Sequence, residues 1–347
     1  MPLKTTATLR QLIIKLSLLI LLLAATTASA YQTRIIGGQA SQESAWPSIV
    51  RFEFSLPDGK KRLCAGNLIS SQWVITAAHC FHNTAQQQVI FTADVEAYPG
   101  LHTLSQKKTF TSLGVQNIFI HPQFALNAPF DFDFALIELS HPVDLPVSSL
   151  LVNTPEVDEL TTVLGWGVQE LNAETNNPLS TSLATTLQEV DVPVISNQQC
   201  QNAMGASIRE SMICAGYPQG GKDSCSGDSG SPMMVLRNGK YTQTGIVSFG
   251  IGCAQPNQYG VYARIEFALP WINELVSDIQ LTDATTAQRK INAAKESELT
   301  PNSSQLGDEG VKITPRQGGG GSLSFLGLFA LFVINRYRRF SIASRAL

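Results

Sequence analysis

The chain has 347 residues, of which 44% are hydrophobic and 15% charged, with a formal net charge of −3 and six cysteines. This length suits one large or two modest globular domains, and the composition excludes a wholly disordered chain. Residues 35–280 carry 11 basic and 22 acidic side chains, a net charge of −11, which argues against nucleic acid as a partner.

Residues 1–30 read as a secretory signal peptide. Lys4, Arg10 and Lys15 form a basic start, residues 16–25 an apolar run, and Ala28-Ser29-Ala30 a small-residue cleavage site. The rival reading, an N-terminal anchor, asks for a longer apolar run. Export permits disulfides, so the six cysteines read as bridges rather than metal ligands, with fifteen pairings open. No Cys-x-x-Cys occurs. Short apolar runs at residues 48–54, 67–69, 73–76, 134–139, 161–165, 233–236 and 241–248 alternate with Gly, Pro and Asn breaks. Their lengths predict strands, and many short strands predict a β-barrel or sandwich. One helix is expected, over about residues 268–279, where Leu269, Ile272, Leu275, Val276 and Ile279 share a face.

Four separated stretches carry chemistry. In chain order they are Arg34-Ile35-Ile36-Gly37-Gly38, Thr76-Ala77-Ala78-His79-Cys80, Asp133-Phe134-Ala135-Leu136 and Gly227-Asp228-Ser229-Gly230. Ser229 lies where a tight backbone exposes its hydroxyl, and a serine hydroxyl needs a base to become a nucleophile. His79 is the candidate base. A carboxylate must then orient the imidazole. Asp131 and Asp133 both compete for that task, because alternate residues of a strand face the same side.

In this order and with these flanks, the chain resembles the trypsin-like (chymotrypsin-fold) serine proteases over roughly residues 35–278. The resemblance implies an all-β fold of two six-stranded antiparallel β-barrels with a C-terminal helix and a catalytic cleft between the barrels. It implies a triad of Ser229, His79 and Asp133, since the family's aspartate precedes an apolar residue and then Ala-Leu. Phe134 is bulkier than the usual residue there. The implied oxyanion donors are the N–H groups of Gly227 and Ser229, and Ser231 stands where glycine is usual. The implied disulfides are Cys64–Cys80, Cys200–Cys214 and Cys225–Cys253. Asp223, six residues before Ser229, would form the base of a pocket for Arg or Lys, with Ser224 beside it and Gly250 and Gly260 in its walls. Ser248, Phe249 and Gly250 match the segment that pairs with substrate backbone, with Phe249 in place of tryptophan. Cleavage of Arg34-Ile35 by a trypsin-like activating protease would release an ammonium that pairs with Asp228. Tyr259 raises the idea of a Na⁺ near the pocket. Asp94 and Glu96 lack calcium-loop spacing, so no cofactor or required metal is expected.

Residues 281–317 are polar and read as a linker. Asn302-Ser303-Ser304 matches a glycosylation pattern. Gly318 to Gly321 then lead into an apolar run over residues 323–334, followed by Arg336, Arg338 and Arg339. The basic cluster predicts a cytoplasmic end. This terminus resembles the GlyGly-CTERM sorting signals of Gram-negative bacteria, which implies cleavage by a rhomboid-type protease and type II secretion. A permanent anchor is the alternative.

The expected organisation is therefore a signal peptide (1–30), an activation propeptide (31–34), a peptidase domain (35–280), a linker (281–317) and a sorting or membrane segment (318–347). The expected protein is a secreted or cell-surface serine endopeptidase, made as a zymogen, cutting protein or peptide substrates after Arg or Lys. The alternative is a non-catalytic binding or surface-anchored protein on a protease fold. Such a protein would have lost a triad member or the activation site, and this sequence keeps them all.

Overall fold

The computed structural model describes residues 35–55, 61–83 and 88–282. The expected signal peptide, the propeptide with Arg34, the linker beyond Thr282 and the C-terminal segment lie outside the described residues.

Six strands build the first sheet: β1 (Ile49–Ser55), β2 (Lys61–Leu68), β3 (Trp73–Thr76), β4 (Val95–Pro99), β5 (Val115–Ile120) and β6 (Ala135–Leu139). Their order is β4-β1-β2-β3-β6-β5, all antiparallel. Its two outer strands meet only through an isolated bridge between Ala97 and Leu113. This unit is therefore a half-barrel rather than a closed one. Strand β1 explains its curl. Val50, Phe52 and Phe54 point into the core, where Phe81 meets both phenylalanines edge-on at 5.3 and 5.1 Å. The alternate residues Arg51 and Glu53 are also buried, and they pair at 3.1 Å. Burial opposes the charged form of Glu53. Hydrogen bonds from Lys107, Lys61 and Arg51 outweigh it and draw the carboxyl down to about 2.

The second sheet closes. It contains β7 (Leu160–Gly165), β8 (Gln188–Ile195), β9 (Met212–Ala215), β10 (Pro232–Arg237), β11 (Lys240–Phe249) and β12 (Gly260–Arg264). The order is β8-β7-β10-β11-β12-β9, and β9 pairs back to β8 through Val194–Ala215 and Ile195–Cys214. Closure leaves no free edge. The N-terminal segment belongs to this barrel. Gln39 and Ala40 pair with Glu189 and Gln188, and Ile35 is buried among Val163, Val190, Ile213 and Tyr262.

The strands run past the apolar runs that announced them. β2 starts at Lys61, because its ladder with β1 continues through the Arg62–Phe54 pair. The helices differ more. The expected terminal helix begins earlier and stops sooner, as α3 (Ile265–Leu275), with Val276 already extended while its N–H still reaches the Ile272 carbonyl. Among the described residues, two α-helices were not foreseen. One is the single turn α1 (Ala78–Phe81) that carries His79. The other is α2 (Asn197–Met204), capped by the Ser196 side chain on the Gln199 N–H at 3.1 Å and ended by Gly205 at φ 63°. Its sequence is mostly amide side chains, too polar and short for a periodic signal. Cap chemistry and the Cys200–Cys214 bridge to β9 fix it instead. Among the described residues no helix is long and apolar enough to cross a membrane.

Candidate active site

Strand pairing assembles the first part of the site. β3 ends at Thr76, opposite Ala135 at the start of β6. The residues just beyond those ends, His79 and Asp133, therefore meet. His79 Nδ1 lies 2.7 Å from one Asp133 oxygen, and the His79 N–H donates to the other at 2.9 Å. Asp133 is fully buried, and the Ser248 hydroxyl also donates to it at 2.5 Å. Three hydrogen bonds thus satisfy a carboxylate that water does not reach. They fix the imidazole by its Nδ1 side and leave Nε2 turned elsewhere. The Cys64–Cys80 disulfide ties the next residue to β2.

Ser229 comes to the same cleft from the second barrel. Its carbonyl accepts the Ala65 N–H of β2 at 2.8 Å, and the Gly230 N–H donates to Val247 of β11 at 2.9 Å. Only glycine fits after the serine. With φ at +81°, a Cβ on Gly230 would sit 2.3 Å from both the Ala65 carbonyl oxygen and the Thr76 hydroxyl. Ser229 remains partly exposed, and no hydrogen bond joins it to His79 in the unliganded chain. Catalytic hydrogen bonds often tighten only around substrate. The N–H groups of Gly227 and Ser229 have no acceptor among the described residues, so both are free to donate. Ser231 is buried and faces Gly165, where a Cβ would come within 3.1 Å of its oxygen. The missing side chain on β7 leaves room first for the Asp228 carboxylate, which is nearer still, and then for the Ser231 hydroxyl.

Asp223 stands 3% exposed. One of its oxygens accepts the Ala254 N–H at 3.1 Å, and the other, Oδ1, is buried with no partner. Burial pushes this carboxyl up to about 7, against the pull of its backbone hydrogen bonds. Gly260 gives Asp223 its space, since a Cβ there would lie 2.9 Å from Oδ1. A Cβ on Gly250 would meet the Gly252 carbonyl oxygen at 3.4 Å, an ordinary contact. Ser224 is buried, and its hydroxyl lies 3.5 Å from that of Tyr262. The Cys225–Cys253 disulfide closes the wall. Asp228 is fully buried and accepts from Gly167 at 2.6 Å and Cys225 at 2.9 Å, and burial raises it too, to about 7.

Sequence reasoning left two site residues unnamed, Tyr262 and Phe130. Tyr262 lies two residues beyond Gly260 on β12, so it lies on the same face of the strand, a signal that strand alternation carried. Phe130 meets the His79 ring edge-on at 5.6 Å and stacks on Phe249 at 5.0 Å. Asp131, the rival for the histidine's carboxylate, turns away from it. Its side chain takes a 2.5 Å hydrogen bond from Ser211 and lies 3.8 Å from Arg209, both of the second barrel. The alternation argument fails there because the segment is not a strand. Phe130 and Phe132 have φ of 61° and 50°, a left-handed kink that sends Asp131 and Asp133 to different partners.

Tyr259 is buried, and its hydroxyl accepts from Gln199 at 3.4 Å. Glu96 takes hydrogen bonds or charge from Tyr98 and Lys61 at 3.2 and 3.6 Å. Among the described residues the cluster with metal-ligand spacing is Cys64, His79 and Cys80, and its two sulfurs are bonded to each other.

The family model for trypsin matches residues 35–272. Coagulation factor XI of Bos taurus is 34% identical over 251 residues, covering 70% of this chain and 38% of factor XI. Testisin of Homo sapiens is 33% identical over 261 residues, covering 71% of this chain and 79% of testisin. The chain thus spans well under half of factor XI and most of testisin.

Proposed function

This chain belongs to the trypsin family of serine proteases, and we propose that it is a secreted endopeptidase, made as a zymogen, that hydrolyses peptide bonds after Arg or Lys. The observation that carries the specificity is Asp223 Oδ1, a buried carboxylate oxygen without a partner. An unmet acceptor of this kind is costly unless a ligand meets it. A guanidinium or ammonium entering the pocket would do so with a charge-assisted hydrogen bond.

The reaction follows from the groups at hand. His79 Nε2 takes the Ser229 proton as the oxygen attacks the scissile carbonyl, while Asp133 stabilises the imidazolium through Nδ1. The N–H groups of Gly227 and Ser229 receive the oxyanion. The imidazolium then gives its proton to the leaving amine. A water, deprotonated by His79, releases the acyl group and restores the serine.

Two observations support activation by cleavage after Arg34. Ile35 has φ of 43°, a costly value for a β-branched residue. That torsion exists only while Arg34 is bonded, so cleavage removes the strain. The Asp223 N–H donates to the Ile36 carbonyl at 3.1 Å, which couples the N-terminal segment directly to the pocket base. The freed ammonium would find its counter-charge in Asp228. Three disulfides agree with an oxidising compartment. Release or anchoring of the exported enzyme would fall to the C-terminal Gly-rich, apolar and basic segment, with a rhomboid-type protease and a type II secretion system as its partners. The test is a peptide series differing only at the residue before the cut. Cleavage after Arg and Lys alone is expected, and equal cleavage after Leu or Glu would overturn the proposal.

A further inference from the structure

A cleft of about 630 Å³ opens beside His79, lined by Arg62, His82, Phe124, Leu126 and Phe130. Arg62 in its lining is a cation that pairs with no carboxylate among the described residues. The Arg62 Nη2 donates to the His79 carbonyl at 3.3 Å, and the guanidinium lies over the Phe54 ring at 5.2 Å. Its Nε is buried and has no acceptor. No carboxylate among the described residues pairs with Arg62, and burial alone acts on its pKa, lowering it. Across the cleft, the His82 Nδ1 is likewise buried without a partner, its ring edge-on to Phe124 at 5.8 Å. The remaining wall is apolar except for the Asn127 amide, and Leu126 is 72% exposed.

A surface arginine normally meets its donors with water. This one has no carboxylate partner among the described residues, so an anion entering the cleft would give its guanidinium a counter-charge and charge-assisted hydrogen bonds.

We propose that Arg62 and His82 form a subsite for a substrate carboxylate, an Asp or Glu side chain within three residues of the scissile bond. Its methylenes lie against Phe124, Phe130 and Leu126 while its oxygens meet the guanidinium. The inference rests on the endopeptidase reading above, and it adds a second charge requirement to the first. A preferred substrate would carry Arg or Lys before the cut and an acidic residue close by.

The test uses peptides with Arg before the cut, in which Glu or Gln is scanned through three positions on either side. At one position the Glu peptide should exceed its Gln counterpart about tenfold in kcat/KM, the range expected of a charge pair partly withdrawn from water. The ratio should fall severalfold in 1 M NaCl, where exposed charges are screened beyond about 3 Å. In R62Q the ratio should drop to about one, and in R62E it should invert. Each ratio is taken within one preparation, so partial loss of active enzyme cancels. Should R62Q yield no folded protein, the wild-type ratio decides, and a ratio indifferent to salt overturns the subsite. Ratios near one at every wild-type position also overturn it while leaving the endopeptidase reading standing. Absence of cleavage of any Arg peptide defeats that reading first.

Discussion

The sharpest perturbation of this site is Asp223→Asn, read against pH. The carboxylate is 3% exposed with Oδ1 unpartnered, so a bound Arg side chain would be its only strong counterpart. Removing one member of a buried ion pair costs about 3–5 kcal/mol, or roughly two to four powers of ten in kcat/KM at about 1.4 kcal/mol per decade. The wild type makes a second, more diagnostic prediction. Burial holds Asp223 at about 7 in the empty pocket, and kcat/KM reports the free enzyme. Above that value the carboxylate is charged and ready for a cation; below it, a proton must leave first. The ratio of kcat/KM for an Arg peptide to that for its neutral citrulline isostere should therefore rise about tenfold per unit up to pH 7, then level. Taking the ratio within one enzyme cancels every effect of pH that the two peptides share. Stopped assays on the two peptides from pH 5 to 9 supply the measurement. A ratio independent of pH, or an Asp223→Asn enzyme that still prefers Arg to citrulline, would refute the argument.

Ser229→Ala should fold and keep its three disulfides yet lose peptidase activity by about three or more powers of ten, as a missing triad member does generally, and near-normal turnover of purified protein would end its role as nucleophile. Ser211→Ala removes the hydroxyl that holds Asp131. It should cost about 1–3 kcal/mol, seen as a several-degree fall in Tm, and an unchanged Tm would mean that the Phe130–Phe132 kink holds without it. Gly230→Ala should destabilise strongly, since its Cβ meets a main-chain oxygen at 2.3 Å and φ is +81°; a stable, active variant would contradict the close approach. Asp228 sits at about 7 in the folded chain, above its unfolded value near 4. The folded state therefore holds the extra proton, and precursor stability should fall as pH rises from 4 to 7. Cleavage at Arg34 should lessen that fall by supplying an ammonium to Asp228, leaving the share that comes from Asp223, which burial also raises to about 7. Denaturant titrations of precursor and cleaved enzyme at pH 5 and 8 would detect it, and identical pH slopes would count against the pairing.

Local flanks in the sequence announced much of this protein. His79 lies in Thr-Ala-Ala-His-Cys, Ser229 in Gly-Asp-Ser-Gly and Asp133 before Phe-Ala-Leu, and short apolar runs announced most of the strands. These signals are legible because each belongs to one contiguous segment whose backbone and chemistry are set by its own residues. Residues of the site that act through distant partners left no such mark. Asp131 meets Ser211 across 80 positions, Ser224 meets Tyr262 across 38, and Phe130 stacks on Phe249. Nothing near Arg62 in the chain reveals that its guanidinium is tethered to the His79 carbonyl and unmatched by a carboxylate. Whether a polar group is satisfied depends on what the fold brings within 3 Å of it and on what water can still reach. Both are decided when the half-barrel and the closed barrel pack together, which is why the Gly-Asp-Ser-Gly motif was legible in the sequence while the unpartnered Asp223 Oδ1 and Arg62 Nε were not.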